Sequence, residues 1–237
     1  MRPAPALCLA LCALATPAAA QRSERAEPPP VVVELFTSQG CSACVDANAF
    51  VGELAGREGV LALSFSVDYW DYLGWRDTFA TPAAGERQRA YSRRLNLRRL
   101  YTPQVVVDGR DAAPGFEHER IEAAVRRNTD PAWAVPEVRL SADGRRAWVG
   151  SGRAPRGGGD IWLVRFEPRV RDVAVDQGEN RGRTVRVVNV VRSVARLGAW
   201  RGRSVALRLP AGEEGQRTAV LLQGVDGGPV LSAAVAE

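Results

Sequence analysis

Val31-Val32-Val33-Glu34-Leu35-Phe36-Thr37-Ser38-Gln39-Gly40-Cys41-Ser42-Ala43-Cys44 is the stretch on which the reading of this chain turns. Val31–Phe36 is apolar apart from Glu34, the pattern of a strand covered on both faces. Gly40 breaks the run, and a helix follows to about Ala55 with Phe50, Val51 and Leu54 on one side. A Cys-x-x-Cys pair thus stands where a strand gives way to a helix, and thiol–disulfide chemistry is the first hypothesis. At a helix N-terminus, free backbone N–H groups and the positive dipole end favour a thiolate, which makes Cys41 the nucleophile. Cys44 lies about one turn further on, close enough to resolve a mixed disulfide on Cys41. Ser42 and Ala43 are short and leave the attacking sulfur accessible. The plain alternative is a structural disulfide, although so short a loop adds little stability.

Outward from this stretch the chain alternates. Gly56 and Gly59 lead into a second strand, Val60–Val67. Asp68–Pro82 is dense in aromatics, with Tyr69, Trp70, Tyr72, Trp75 and Phe79. It reads either as a cap over the sheet or as a lip beside Cys41. An Arg-rich helix spans about Pro82–Leu97, followed by Thr102-Pro103 and the strand Gln104–Val107. Asp108-Gly109 signals a hairpin, and an amphipathic helix from Glu117 to about Arg127 turns Ile121, Ala124 and Val125 inward. Strands alternating with helices call for parallel pairing with right-handed crossovers.

The order β-α-β-α-β-β-α, with Cys-x-x-Cys opening the first helix and Thr-Pro before the third strand, resembles the thioredoxin fold. Three blocks in order are similar to an exported bacterial family, the domain of unknown function 1223 family. They are Glu34 to Cys44, then Val67-Asp68-Tyr69-Trp70-Asp71-Tyr72-Leu73-Gly74-Trp75, then Tyr101-Thr102-Pro103-Gln104. The resemblance implies an α/β thioredoxin-like domain over residues 31–130. It also implies a cis Pro103 packed against the Cys pair, with Thr102 offering its backbone to an extended substrate. An acid near the end of the first strand, here Glu34, would take the proton of the resolving thiol; pairing with an arginine is the competing reading. Trp70 and Trp75 are candidate substrate contacts, and Cys41–Cys44 is the expected disulfide.

Beyond Pro131 and Pro136 the period shortens. Candidate strands are Val138–Leu140, Arg146–Val149, Ile161–Phe166, Thr184–Val191, Val205–Leu209, Ala219–Leu222 and Val230–Val235. About seven short strands between glycine turns suggest a smaller all-β, sandwich-like domain over 135–237.

Residues 1–20 carry Arg2, an apolar Leu7–Leu14 and Ala18-Ala19-Ala20, the marks of a secretory signal cut near Ala20. Residues 21–30 read as a Pro-rich leader. Export to the periplasm or beyond is expected, where disulfides persist, and no later stretch is apolar for the roughly 18 residues a spanning helix needs. The chain has no lysine, and its arginine excess is greater in the second half: residues 28–135 hold 12 Arg and 14 acids, and residues 136–237 hold 17 and 11. Dispersed solvated charge accounts for this better than nucleic-acid binding.

No glycine-rich phosphate loop is present, so no nucleotide or other bound cofactor is expected. No metal is expected either, although Cys41, Cys44 and the single histidine, His118, form the donor set of a copper(I) protein. The expected partners are protein thiols or disulfides and a redox partner. The expected function is thiol–disulfide oxidoreduction on proteins; a copper-binding protein and a non-catalytic adaptor with a structural disulfide are the alternatives.

Overall fold

The apolar run at the start forms β1 (Val31–Thr37), buried along its whole length, in a computed structural model that describes residues 28–129 and 136–236. The expected signal segment, most of the leader and the junction at 130–135 lie outside the described residues. β1 leads through the Cys pair into α1 (Cys44–Ala55) and then β2 (Val60–Ser66), which pairs with β1 in parallel. After a single 3-10 turn at Asp71–Leu73 comes α2 (Pro82–Arg94), capped by the Thr81 hydroxyl on Ala84 N–H. β3 (Gln104–Val107) and β4 (Asp111–Pro114) form the hairpin signalled by Asp108-Gly109, whose residues both take positive φ, 46° and 62°. α3 (His118–Asn128) closes this half.

The second half supplies β5 (Val138–Leu140), β6 (Arg146–Val149), β7 (Gly159–Glu167), β8 (Arg171–Val175), β9 (Arg183–Val187), β10 (Val190–Trp200), β11 (Val205–Arg208), β12 (Arg217–Gly224) and β13 (Val230–Val235). Here the structure corrects the expected architecture. An α/β thioredoxin-like domain followed by a smaller, separate all-β domain is not what the chain builds. The described residues are mostly β, with three α-helices, and are dominated by one mixed eight-stranded sheet in the order β13-β12-β7-β10-β2-β1-β3-β4. Both halves contribute four strands to it.

The reason lies at β2, whose outer edge is taken up by β10 in parallel at Val190↔Ser64. Asn189, at φ 48°, makes the joint: its carbonyl accepts from Ser64 N–H and its Nδ2 donates to Ala62 O. An edge strand that finds such a partner extends the sheet instead of ending it.

Period-two alternation then sorts the sheet's faces. Val31, Val33 and Leu35 pack against Phe50, Val51 and Leu54 of α1 and Ile121 of α3. Val32 and Phe36 face the other way, toward Ala84 and Tyr91 of α2, in a core that also takes in Val164, Phe166, Ala219 and Leu221 from β7 and β12. This second core therefore has no seam between the halves. Sheet β11-β6-β5 covers the opposite side of β7 and β12 through Val149, Ile161, Trp200 and Val220. The β8–β9 hairpin stands apart and packs its Val175, Val185 and Val187 on Phe79, with Val45 of α1 and Trp75 at the margin.

Candidate thiol site

Cys41 and Cys44 are joined as a disulfide with Cα atoms 5.4 Å apart. The turn before α1 is held by two backbone bonds, Cys41 N–H to Ser38 O and Cys44 N–H to Cys41 O. The helix itself begins at Cys44, so Cys41 precedes its first turn while Ser42 and Ala43 stand exposed. Contrary to the expected accessibility, Cys41 is only 1% exposed and Cys44 is fully buried.

Three distant segments build the surroundings. From 68–80, Asp77 accepts from Gln39 N–H at 2.7 Å and from Phe79 N–H at 2.8 Å, and burial raises its pKa above the usual carboxylate range. The Gln39 side chain in turn accepts from Trp75 Nε1 at 2.9 Å and donates to the Thr78 hydroxyl. Trp70 packs along Gly40 and donates its Nε1 to the Thr102 hydroxyl at 2.7 Å. An open cleft of about 530 Å³ lined by Asp68, Asp71, Arg76, Asp77 and Thr78 borders this corner.

The second segment is Thr102-Pro103, whose peptide bond is cis. Pro103 is buried and lies across Gly115 from α1: a Cβ placed on Gly115 would come within 2.6 Å of Ala47 Cβ and 2.8 Å of Pro103 Cβ. Only glycine lets these two surfaces approach so closely. Trp70 thus links Gly40 of the Cys turn to Thr102, Trp75 bonds Gln39, and Pro103 approaches Ala47, in the first turn of α1 beyond Cys44.

The third segment comes from the second half of the chain. Between β8 and β9, Asn180 is fully buried and donates its Nδ2 to two carbonyls, Gln39 O at 2.8 Å and Cys41 O at 3.0 Å. Its neighbour Glu179 accepts through one oxygen from Ser42 N–H at 3.0 Å and from the Ser42 hydroxyl at 2.8 Å. Gly178 rests on Leu73 and Trp75.

Glu34 is the predicted site residue the structure keeps away. It shares the face of Val32 and Phe36, opposite α1, because the alternation that sends Leu35 toward α1 sends Glu34 toward α2. There Arg87 Nε donates to its carboxylate at 2.6 Å and Tyr91 donates its hydroxyl to the other oxygen. Tyr91 also accepts from Arg87 and from Gln223 of β12. Glu34 therefore belongs to a buried network that ties β1 and α2 to β12, and the role of proton acceptor for Cys44 does not follow from its position.

His118 is exposed at the start of α3 and stacks on Phe50, with ring centroids 4.0 Å apart and planes 9° from parallel. Among the described residues, no group of three or more His, Cys, Asp and Glu side chains is placed to hold a metal ion. The copper donor set of Cys41, Cys44 and His118 is not assembled.

Gln39, Asp77, Glu179 and Asn180 escaped the sequence reading. Gln39 adjoins the motif, but nothing local marks an Asp 38 residues away, or a Glu and an Asn about 140 residues away, as neighbours of this turn.

A family model described as "Protein of unknown function (DUF1223)" matches residues 32–223, from β1 into β12. This chain belongs to the DUF1223 family. The DUF1223 match takes in the Cys pair, Thr102-Pro103 and the Glu179-Asn180 loop together. The crystal structure of an Agrobacterium tumefaciens protein is similar at 30% identity and TM-score 0.70, covering 89% of this chain and 95% of that one. HBP35 of Porphyromonas gingivalis is similar at 13% identity and TM-score 0.57, over 88% of this chain and 74% of that one, a likeness of fold alone. No curated protein matches this DUF1223 chain. A disulfide with Cys-x-x-Cys spacing at the head of α1 is consistent with a thiol-related role for it.

Proposed function

We propose that this protein is an exported thiol–disulfide oxidoreductase acting on protein thiols, with Cys41 as the exchanging sulfur and Cys44 as the resolving one. The observation that carries the reading is the seat of the disulfide. A three-residue separation adds little to stability by loop closure, yet Gln39, Asp77, Trp70, Trp75 and Thr102 are organised around it.

In the exchange a substrate thiolate attacks Cys41 Sγ. The Cys41–Cys44 bond breaks, and Cys44 leaves as a thiolate that takes a proton from solvent. A second substrate thiolate then attacks the substrate's own sulfur in the mixed disulfide and expels Cys41, which is protonated in turn. The substrate dithiol is oxidised to a disulfide, the protein pair is reduced to a dithiol, and two electrons have moved. The reduced pair runs the same steps backwards on a substrate disulfide. Another exported dithiol–disulfide protein resets the pair.

The burial of Cys41 favours a second reading, a permanent disulfide in a non-catalytic protein. The reduction potential of the pair separates the two, measured in a glutathione titration and joined to trapping of mixed disulfides with Cys44→Ala. A potential in the exchange range with adducts on Cys41 is expected. A potential below about −300 mV, the range of structural disulfides, with no adducts, refutes the oxidoreductase.

A further inference from the structure

Cys41 cannot be attacked in the closed arrangement, because at 1% exposure its sulfur offers no line of approach to a thiolate. Ser42 and Ala43 are exposed on one side, and Gln39 and Asp77 are built into the corner on the other. From the second half of the chain, the group that reaches the Cys turn is the β8–β9 loop. It touches the site through Asn180, which bridges the carbonyls of Gln39 and Cys41, and through Glu179 on Ser42.

Resting on the proposed oxidoreductase, we infer that Glu179 and Asn180 are positioning residues of the thiol site, which set the reactivity of Cys41 by holding the β8–β9 loop over it. Asn180 is the latch. Its two hydrogen bonds end on backbone carbonyls of the Cys turn, so they are lost together when the loop lifts and restored together when it closes. Its Oδ1, also buried, has no donor among the described residues. An unmet buried acceptor weakens the closed state, which suits a latch that must release. The loop sits at the end of a two-stranded hairpin outside the main sheet, so lifting it leaves the eight-stranded ladder intact.

Glu179 acts on the charge. On reduction the Cys41 thiolate draws its stabilisation from the N–H groups at the head of α1. Glu179 already occupies the N–H of Ser42, the residue after Cys41, and so adds a carboxylate to the turn that carries the developing negative charge. Both effects disfavour the thiolate, which stabilises the disulfide over the dithiol and holds the potential low.

The test uses the full protein, reduced with dithiothreitol and freed of it, with Cys41 alkylation by iodoacetamide as the readout. Asn180→Ala is expected to raise the alkylation rate about thirtyfold, the combined net contribution of two ordinary hydrogen bonds. Glu179→Gln keeps the acceptor and removes the charge at an exposed position, so it is expected to fold as the parent does. It should make the reduction potential less negative, while Glu213→Gln, at another exposed site, leaves it unmoved. An unchanged alkylation rate in Asn180→Ala overturns the latch. If that variant does not fold, an unchanged potential in Glu179→Gln overturns the proposal on its own. The readouts are independent of substrate: faster alkylation with no mixed disulfide in any variant would sink the oxidoreductase and leave the cover standing.

Discussion

Arg87→Met is the substitution that most directly probes what joins the two halves. Arg87 and Glu34 lie between β1 and α2 with side chains 6% and 1% exposed, and their nitrogen and oxygen are 2.6 Å apart. The guanidinium carbon also sits 5.2 Å from the ring centroid of Tyr91 and 5.6 Å from those of Phe65 and Trp162. Methionine keeps the apolar stem and fills much of the volume, so the loss is chiefly that of the charge. Removing one member of a buried pair strands the other, at about 3–5 kcal/mol. For a chain of this size that corresponds to a fall in Tm of roughly 6–20 °C, at about 2–4 °C per kcal/mol.

The double variant Glu34→Gln/Arg87→Met decides whether the stranded charge is the cause. Glutamine still accepts from the Tyr91 hydroxyl, and no unpaired charge remains. Buried pairs replaced on both sides are often neutral in stability, so the double variant is expected to recover most of the loss. Urea unfolding followed by fluorescence gives the three midpoints. A single variant within about 1 kcal/mol of the parent, or a double variant as unstable as the single, would falsify the reasoning.

Two further outcomes follow from the same cores. Asp108, in the β3–β4 turn, has its pKa raised to about 7, mainly by burial, with Val32 N–H and Arg110 opposing the shift. The folded protein therefore holds more protons than the unfolded chain between about pH 4 and 7, and this residue's contribution to stability falls as pH rises through that window. Asp108→Asn keeps an acceptor for Val32 N–H and tolerates the positive φ. Its stability should gain on the parent's as pH rises from 4 to 7; parallel curves would rule out the titration. Gly115→Ala drives a methyl into Ala47 and Pro103 and should destabilise by about 1–3 kcal/mol. A midpoint equal to the parent's would mean that α1 and the Pro103 loop part freely.

The elements that could be read from the sequence are those whose cause is local. β1 is a continuous apolar run, the β3–β4 hairpin is written in Asp108-Gly109, and α3 turns Ile121, Ala124 and Val125 inward. The sequence pattern Thr184–Val191 reaches only the start of β10 and fuses it to β9, because the register of β10 slips between Val191 and Ser193 and again between Arg196 and Gly198. Each slip adds a residue to one strand and breaks the period-two signal. β8, five residues with only Val175 buried, offers a single alternation, Val173 and Val175, too short to mark a strand. The continuity of the sheet was hidden for a different reason: it depends on the edge of β2 accepting Asn189, and edge pairing leaves no mark in the sequence of either strand.

The site divides along the same line. Cys41 and Cys44 are marked as candidates by residue type and short spacing, and Thr102 and Pro103 by the resemblance to the thioredoxin fold. Glu179 and Asn180 lie in a stretch that reads as a plain turn, Asp176-Gln177-Gly178-Glu179-Asn180, and become part of the site only because β9 runs straight on into β10. Val187 ends β9, Asn189 binds β2, and Val190 begins β10. The joint that fuses the two halves into one sheet is thus nine residues along the chain from the Asn180 latch. In a chain built as two separate domains, the second would be free to drift away from the Cys pair. Here the shared sheet fixes the root of the β8–β9 hairpin beside α1, so opening the site requires only that the loop lift, and closing it requires no search.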